Sequence, residues 1–73
     1  MNVIVTKFGI AVRHFREANA WSQEKLAEQA GLNRSFIGEI ERGTSIASIV
    51  TVDKLARALG VRAGNLLEVA AGD

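Results

Sequence analysis

Apolar positions along this 73-residue chain recur at intervals of three and four, the period of a helix, and alternation is not sustained beyond the first few residues. Phe8, Ala11, Val12 and Phe15 fall on one face of a segment running from about Thr6 to Ala18, with Thr6 as its N-cap. Ser22 caps a second helix that turns Leu26, Ala27 and Ala30 inward and stops at Gly31, which is free to take the left-handed C-cap conformation. Asn33 caps a third, which carries Ile37 and Ile40 inward, runs to about Arg42 and ends at Gly43. Ser48 caps a fourth, with Ile49, Val52, Leu55, Ala56 and Leu59 inward and Gly60 as its stop. A last short helix covers about 63–69. There is no proline, repeat or low-complexity run. The pattern predicts an all-α, compact five-helix bundle whose elements share one core.

The second and third helices form a more specific unit. Residues 22–43, SQEKLAEQAGLNRSFIGEIERG, place small, apolar and turn residues at the spacing of a helix-turn-helix. Ala27 stands where the two helices approach closely, and a Leu there would overpack the crossing at a cost of ~1–3 kcal/mol. Gly31 stands where the chain must reverse, and a β-branched residue there would oppose positive φ. Such a unit generally exists to lay its second helix in the major groove of DNA.

With Ile37 and Ile40 inward, Arg34, Ser35, Gly38 and Glu39 are left outward or lateral. Arg34 is the leading base reader, because its planar fork matches the O6 and N7 acceptors of guanine. Ser35 is able to hydrogen-bond a base or approach a thymine methyl, and Glu39 to accept from a cytosine amino group. An outward Arg on an arbitrary helix is usually a solvated charge; inside a helix-turn-helix the balance reverses. Ser35 and Glu39 fit either reading, and Phe36 fits a half-buried core edge better than a base contact. Gln23 opens the second helix, where free N–H groups and the helix dipole favour a phosphate. Asn33 is a second phosphate candidate, compatible with capping. Arg42, Thr44 and Ser45 follow in a loop placed to run along the DNA backbone, and Ser48 and Thr51 occupy the first turn of the fourth helix, another anion-favouring end. Arg16 and Glu41 each end a helix and read as a half-buried structural ion pair.

Length and composition narrow the field. Residues 1–73 make one domain, and a chain of this size buries only roughly 60% of its unfolded surface, so a partner subunit would help it. Nine basic and eight acidic residues give a formal net charge of +1, which speaks against a non-specific nucleic-acid coat but leaves room for a specific binder. No cysteine is present, so disulfides and thiolate metal sites are excluded, and no metal or cofactor is expected. The N-terminus lacks a signal-peptide pattern and no apolar run approaches ~20 residues, so a cytoplasmic location away from membranes is expected. Catalysis is disfavoured: the one His stands beside Arg13, and Glu24 and Glu28 lie one turn apart on an outer face with no orienting partner.

From about Phe8 to Leu67 the chain resembles the Cro/repressor-type helix-turn-helix proteins, also called the xenobiotic-response-element family. The resemblance is carried by VRHFRE, SQEKLAEQAG, NRSFIGEIERG and SIVTVDKLARALGV. It implies a five-helix fold of the lambda-repressor-like type and sequence-specific binding of a homodimer to a two-fold symmetric operator in double-stranded DNA. It also implies base contacts from Arg34, Ser35 and Glu39, phosphate contacts from Gln23, Asn33 and Arg42, and an Arg–Glu pair at Arg16 and Glu41. The size and the NRSFIGEIERG segment look most like the small controller proteins of restriction–modification systems, which activate or repress, including at their own promoter; phage repressors and antitoxins share the domain. Two departures stand out: Ala47 occupies a position that is often proline before the fourth helix, and Thr44, Ser45 and Ile46 stand where basic residues are common.

Val61, Leu66, Leu67 and Val69 are more apolar than a short terminal helix needs, and are expected to form an isologous dimer interface with Ile46 or Val50. No small-molecule ligand is expected in so small a domain. The competing expectation is an antitoxin-like or adapter module that kept the fold for binding protein.

Overall fold

Five helices follow one another in the computed structural model, which describes residues 2–71 and, among their side chains, those of 2–67: α1 (Val3–Ala18), α2 (Gln23–Ala30), α3 (Arg34–Arg42), α4 (Ile49–Leu59) and α5 (Ala63–Ala71). No strand occurs among the described residues. α1 packs on α3 and α5, α2 on α3 and α4, and α4 on α5, so every helix reaches one shared core. That core is built from Phe8, Ala11 and Val12 of α1, Leu26, Ala27 and Ala30 of α2, Ile37 and Ile40 of α3, Leu55, Ala56 and Leu59 of α4, and Leu66 of α5. None of the described helices is long and apolar enough to cross a membrane.

The helix ends follow local chemistry. Ser22 Oγ accepts the N–H of Lys25 at 3.0 Å, Asn33 Oδ1 that of Ser35 at 2.7 Å, and Ser48 Oγ that of Thr51 at 3.1 Å, each satisfying a donor the helix cannot. Gly31 closes α2 at φ 67°, and the next N–H, from Leu32, reaches back to the Ala27 carbonyl at 2.9 Å.

The first helix begins earlier than its apolar pattern predicts. Asn2, not Thr6, is the N-cap: its Oδ1 accepts from the Ile4 N–H at 2.9 Å. Val3, Ile4 and Val5 are modest helix formers by themselves, but Asn2 is among the best capping residues, and Val5 is half-buried near Phe8. Thr6 is therefore interior, its N–H and hydroxyl both donating to the Asn2 carbonyl, at 3.2 and 3.4 Å. At the other end of the chain α5 runs beyond its expected stop, to Ala71.

Two apolar assignments are corrected. Ile49 is not a core residue but 88% exposed. Helical side chains lean toward the N-terminus, so the first residue of α4 points past the end of the helix and beyond the core's edge. Leu66 is not an interface residue but fully buried, because α5 lies along α1 and α4 and turns that face inward. Val61 is half-buried and packs on the same core, whereas Leu67, the residue after Leu66, is 45% exposed. The side chain of Val69 lies outside the described residues.

Candidate nucleic-acid interface

α3 is strongly divided between its two faces. Ile37 and Ile40 are buried and Phe36 is half-buried against the core, while Arg34, Ser35 and Arg42 are exposed and Glu39 is half-exposed. Ser35, Glu39 and Arg42 follow one another at helical spacing, and Arg34 stands at the exposed N-terminal end beside Ser35. Gly38, which the pattern leaves outward or lateral, is buried. A Cβ on it would stand 3.0 Å from Arg42 Nη1 and 3.7 Å from Gln23 Oε1. The Arg42 guanidinium is thus folded back along its own helix, over the gap that Gly38 leaves, and the Gln23 side chain enters the same gap from α2.

A polar knot fixes α3 against the two helices before it. Arg16 meets Glu41 through two parallel bonds, Nε to Oε2 at 2.7 Å and Nη2 to Oε1 at 3.0 Å, with the two side chains only 11% and 4% exposed. Arg16 Nη1 donates to the Trp21 carbonyl at 2.8 Å, and Gln23 Nε2 donates to Glu41 Oε1 at 3.0 Å. The Glu41 hydrogen bond raises the Arg16 pKa above its ordinary value; burial opposes this, and the charges of Glu41 and Glu17 add to it. Arg16 and Glu41 therefore set where α3 sits and are unavailable to a nucleic acid. Gln23 gives one amide hydrogen to this knot, and a carboxamide carries two.

The loop after α3 is engaged with the helix it leaves. Gly43, at φ 75°, reverses the chain, and the Thr44 N–H reaches the Glu39 carbonyl at 2.9 Å. The Thr44 hydroxyl donates to that same carbonyl at 3.2 Å, and the Ser45 hydroxyl donates to the Glu39 carboxylate at 2.7 Å. Ser48 donates to the Thr51 hydroxyl at 3.1 Å, which leaves Thr51 its own proton. Of the loop hydroxyls expected on phosphates, those of Thr44, Ser45 and Ser48 have thus placed their single proton within the protein. Asn33 uses Oδ1 as a cap and keeps its amide hydrogens for an outside acceptor.

Three features escape a reading of the sequence: the gap at Gly38, the Trp21 carbonyl as a second partner of Arg16, and the Ser45–Glu39 bond. Only the first left a signal, since a glycine inside a helix costs about 1 kcal/mol relative to Ala and calls for a reason. A second surface stands apart from α3. Ile46, Ile49, Val50 and Leu67 are exposed apolar side chains, and with Ile4, Val5 and Val52 they line shallow apolar clefts between the start of α1, the loop before α4, and α5.

Comparison with known proteins agrees with this geometry. A family model described as helix-turn-helix matches residues 12–66. Control protein C.BamHI of Bacillus amyloliquefaciens is 43% identical over 68 residues, covering 92% of this chain and 84% of that protein. The crystal structure of the restriction–modification controller protein C.AhdI from Aeromonas hydrophila superposes with a TM-score of 0.83 at 44% identity, covering 85% of this chain and 94% of that one. The clp gene regulator ClgR from C. glutamicum superposes with a TM-score of 0.90 at 28% identity, covering 99% and 94%. With the two-helix unit held by Ala27, Gly31 and the Arg16–Glu41 knot, this chain belongs to the Cro/repressor-type helix-turn-helix family of DNA-binding regulators.

Proposed function

We propose that this protein controls transcription by binding, as a homodimer, to a two-fold symmetric operator, in the manner of a restriction–modification controller and including its own promoter among its targets. The observation that carries the reading is the division of α3: its apolar side chains are spent on the core, and its outer face presents Arg34, Ser35, Glu39 and Arg42. Arg34 reads guanine with its paired donors, and Ser35 and Glu39 read neighbouring base edges. Gln23, Asn33 and Arg42 hold phosphates on either side of the groove, and the N-terminal turn of α4 adds a further backbone contact through the Thr51 hydroxyl, whose proton is free. The kinship with C.BamHI and C.AhdI supports the controller role.

Dimerisation uses the second surface. Ile46, Ile49, Val50 and Leu67 form an exposed apolar patch on a chain of marginal size, and burying it against the same patch of a second copy gives an isologous contact. Two recognition helices related by that two-fold axis would read half-sites one helical turn apart, or a multiple of it.

The test is selection of bound sequences from a random double-stranded DNA pool at moderate salt. An inverted repeat is the expected product, and its half-site spacing gives the distance between recognition helices. A non-repeated motif would refute the dimeric operator. Absence of any motif would transfer the function to protein binding through the apolar patch.

A further inference from the structure

We propose that Ser45 is a specificity-determining positioning residue, which holds the Glu39 carboxylate ready for base reading instead of contacting a phosphate. The inference rests on the reading of Glu39 as a base-edge reader. The turn at Gly43 carries the chain back along α3, and two bonds from Thr44 to the Glu39 carbonyl fix that return. Ser45 consequently arrives beside the Glu39 side chain, and its hydroxyl donates to Oε1 at 2.7 Å, the short length of a charge-assisted bond. Oε2 has no partner among the described residues and remains available as an acceptor.

The chemistry explains why such a hold matters. A carboxylate entering a groove lined by phosphates is repelled, and an unrestrained Glu would turn away toward water. Held in place, it accepts from the exocyclic amino group of cytosine or adenine and rejects the acceptor edges that guanine and thymine offer there. Ser45 supplies the hold from outside the helix, through a hydroxyl whose only proton is committed to it. The bond thereby converts a mobile charge into a fixed acceptor, and the discrimination at one base pair depends on a residue that touches no base.

The experiment is selection from the random DNA pool, with relative affinities for single-base variants of the selected site, on the full chain and on Ser45→Ala, Ser45→Thr, Glu39→Ala, the Ser45→Ala/Glu39→Ala double variant and Arg34→Ala. Glu39→Ala is expected to lower discrimination at one base pair roughly tenfold or more. Ser45→Ala should lower discrimination at that same pair by about three- to tenfold, leaving the other positions unchanged. Ser45→Thr should restore it, and the double variant should match Glu39→Ala alone. A uniform loss of affinity in Ser45→Ala would make Ser45 a phosphate contact and overturn the inference. An unchanged profile in Ser45→Ala beside a flattened one in Glu39→Ala would overturn it while leaving Glu39 a reader. If Glu39→Ala changes no position while Arg34→Ala does, Glu39 is no reader and the inference falls, with DNA reading by α3 intact.

Discussion

Gly9 of α1 lies directly against the backbone carbonyl of Ile40 in α3, with no room for a side chain between them. A Cβ at this position would collide with the Ile40 oxygen and would stand 2.9 Å from the carbonyl oxygen of Glu41. The obstructing atoms are backbone, so relief requires moving one helix off the other. Gly9→Ala is therefore expected to destabilise the fold by about 1–3 kcal/mol or more, although Ala is the better helix former. Thermal and denaturant unfolding measure this directly; a stabilised Gly9→Ala would disprove the contact.

Gly38 predicts the opposite balance. The atom nearest to a new Cβ there is the end of the flexible Arg42 side chain, at 3.0 Å, which is able to swing away. Replacing a mid-helix glycine by Ala gains roughly 0.5–1 kcal/mol. Gly38→Ala should therefore melt no lower than the parent protein yet bind DNA more weakly, because the new methyl fills the gap into which both Arg42 and Gln23 reach. Equal loss of stability and binding would contradict this separation.

The Arg16–Glu41 pair predicts a non-additive cycle. Arg16→Ala strands the Glu41 carboxylate, only 4% exposed, and should cost ~3–5 kcal/mol, with Glu41→Ala comparable. The Arg16→Ala/Glu41→Ala variant should cost less than the sum of the two, since neither charge is then left unpaired. Because the pair raises the Arg16 pKa above its ordinary value, its contribution is complete at any pH below that ordinary value and is lost only as pH rises through the still higher folded-state pKa. Alkaline destabilisation between about pH 8 and 10 would therefore have another origin. Simple additivity in a chemical-denaturation cycle would refute the coupling.

The two apolar residues that exchanged roles separate folding from association. Leu66→Ala removes a fully buried side chain and should cost ~2–5 kcal/mol at any protein concentration. Ile49→Asp alters a side chain that touches little, and an acid in the first turn of α4 suits the helix dipole, so the protomer should keep its stability. Sedimentation equilibrium should nevertheless show Ile49→Asp weakening the dimer. A dimer constant unchanged by Ile49→Asp would remove this residue from the interface.

DNA binding distinguishes the two exposed arginines of α3. Arg34→Ala should cost ~1–3 kcal/mol and relax selection at one base position, whereas Arg42→Ala should weaken all sequences alike and reduce the salt slope by about 1. A titration series across salt concentrations on the selected operator reports both.

Much of this protein is legible in its sequence, because local chemistry specifies it. The caps at Ser22, Asn33 and Ser48 and the left-handed stop at Gly31 each depend on a few adjacent residues, and the spacing of Leu26, Ala30, Ile37 and Ile40 is enough to name the inner faces of α2 and α3. Arg16 and Glu41 were pairable from their places at two helix ends. Tertiary structure decided the rest, since a helical period says which residues share a face but not what stands opposite it. Ile49 and Leu66 are equally apolar in the sequence; one overhangs the end of α4 and the other is enclosed by α1 and α4. Gly9 and Gly38 are both mid-helix glycines, and only the approach of the Ile40 carbonyl and the Arg42 guanidinium gives them different tasks. Ser45 and Glu39 are six residues apart on a helix and a loop, and their bond exists because the backbone reverses at Gly43 through an angle that places one hydroxyl beside one carboxylate.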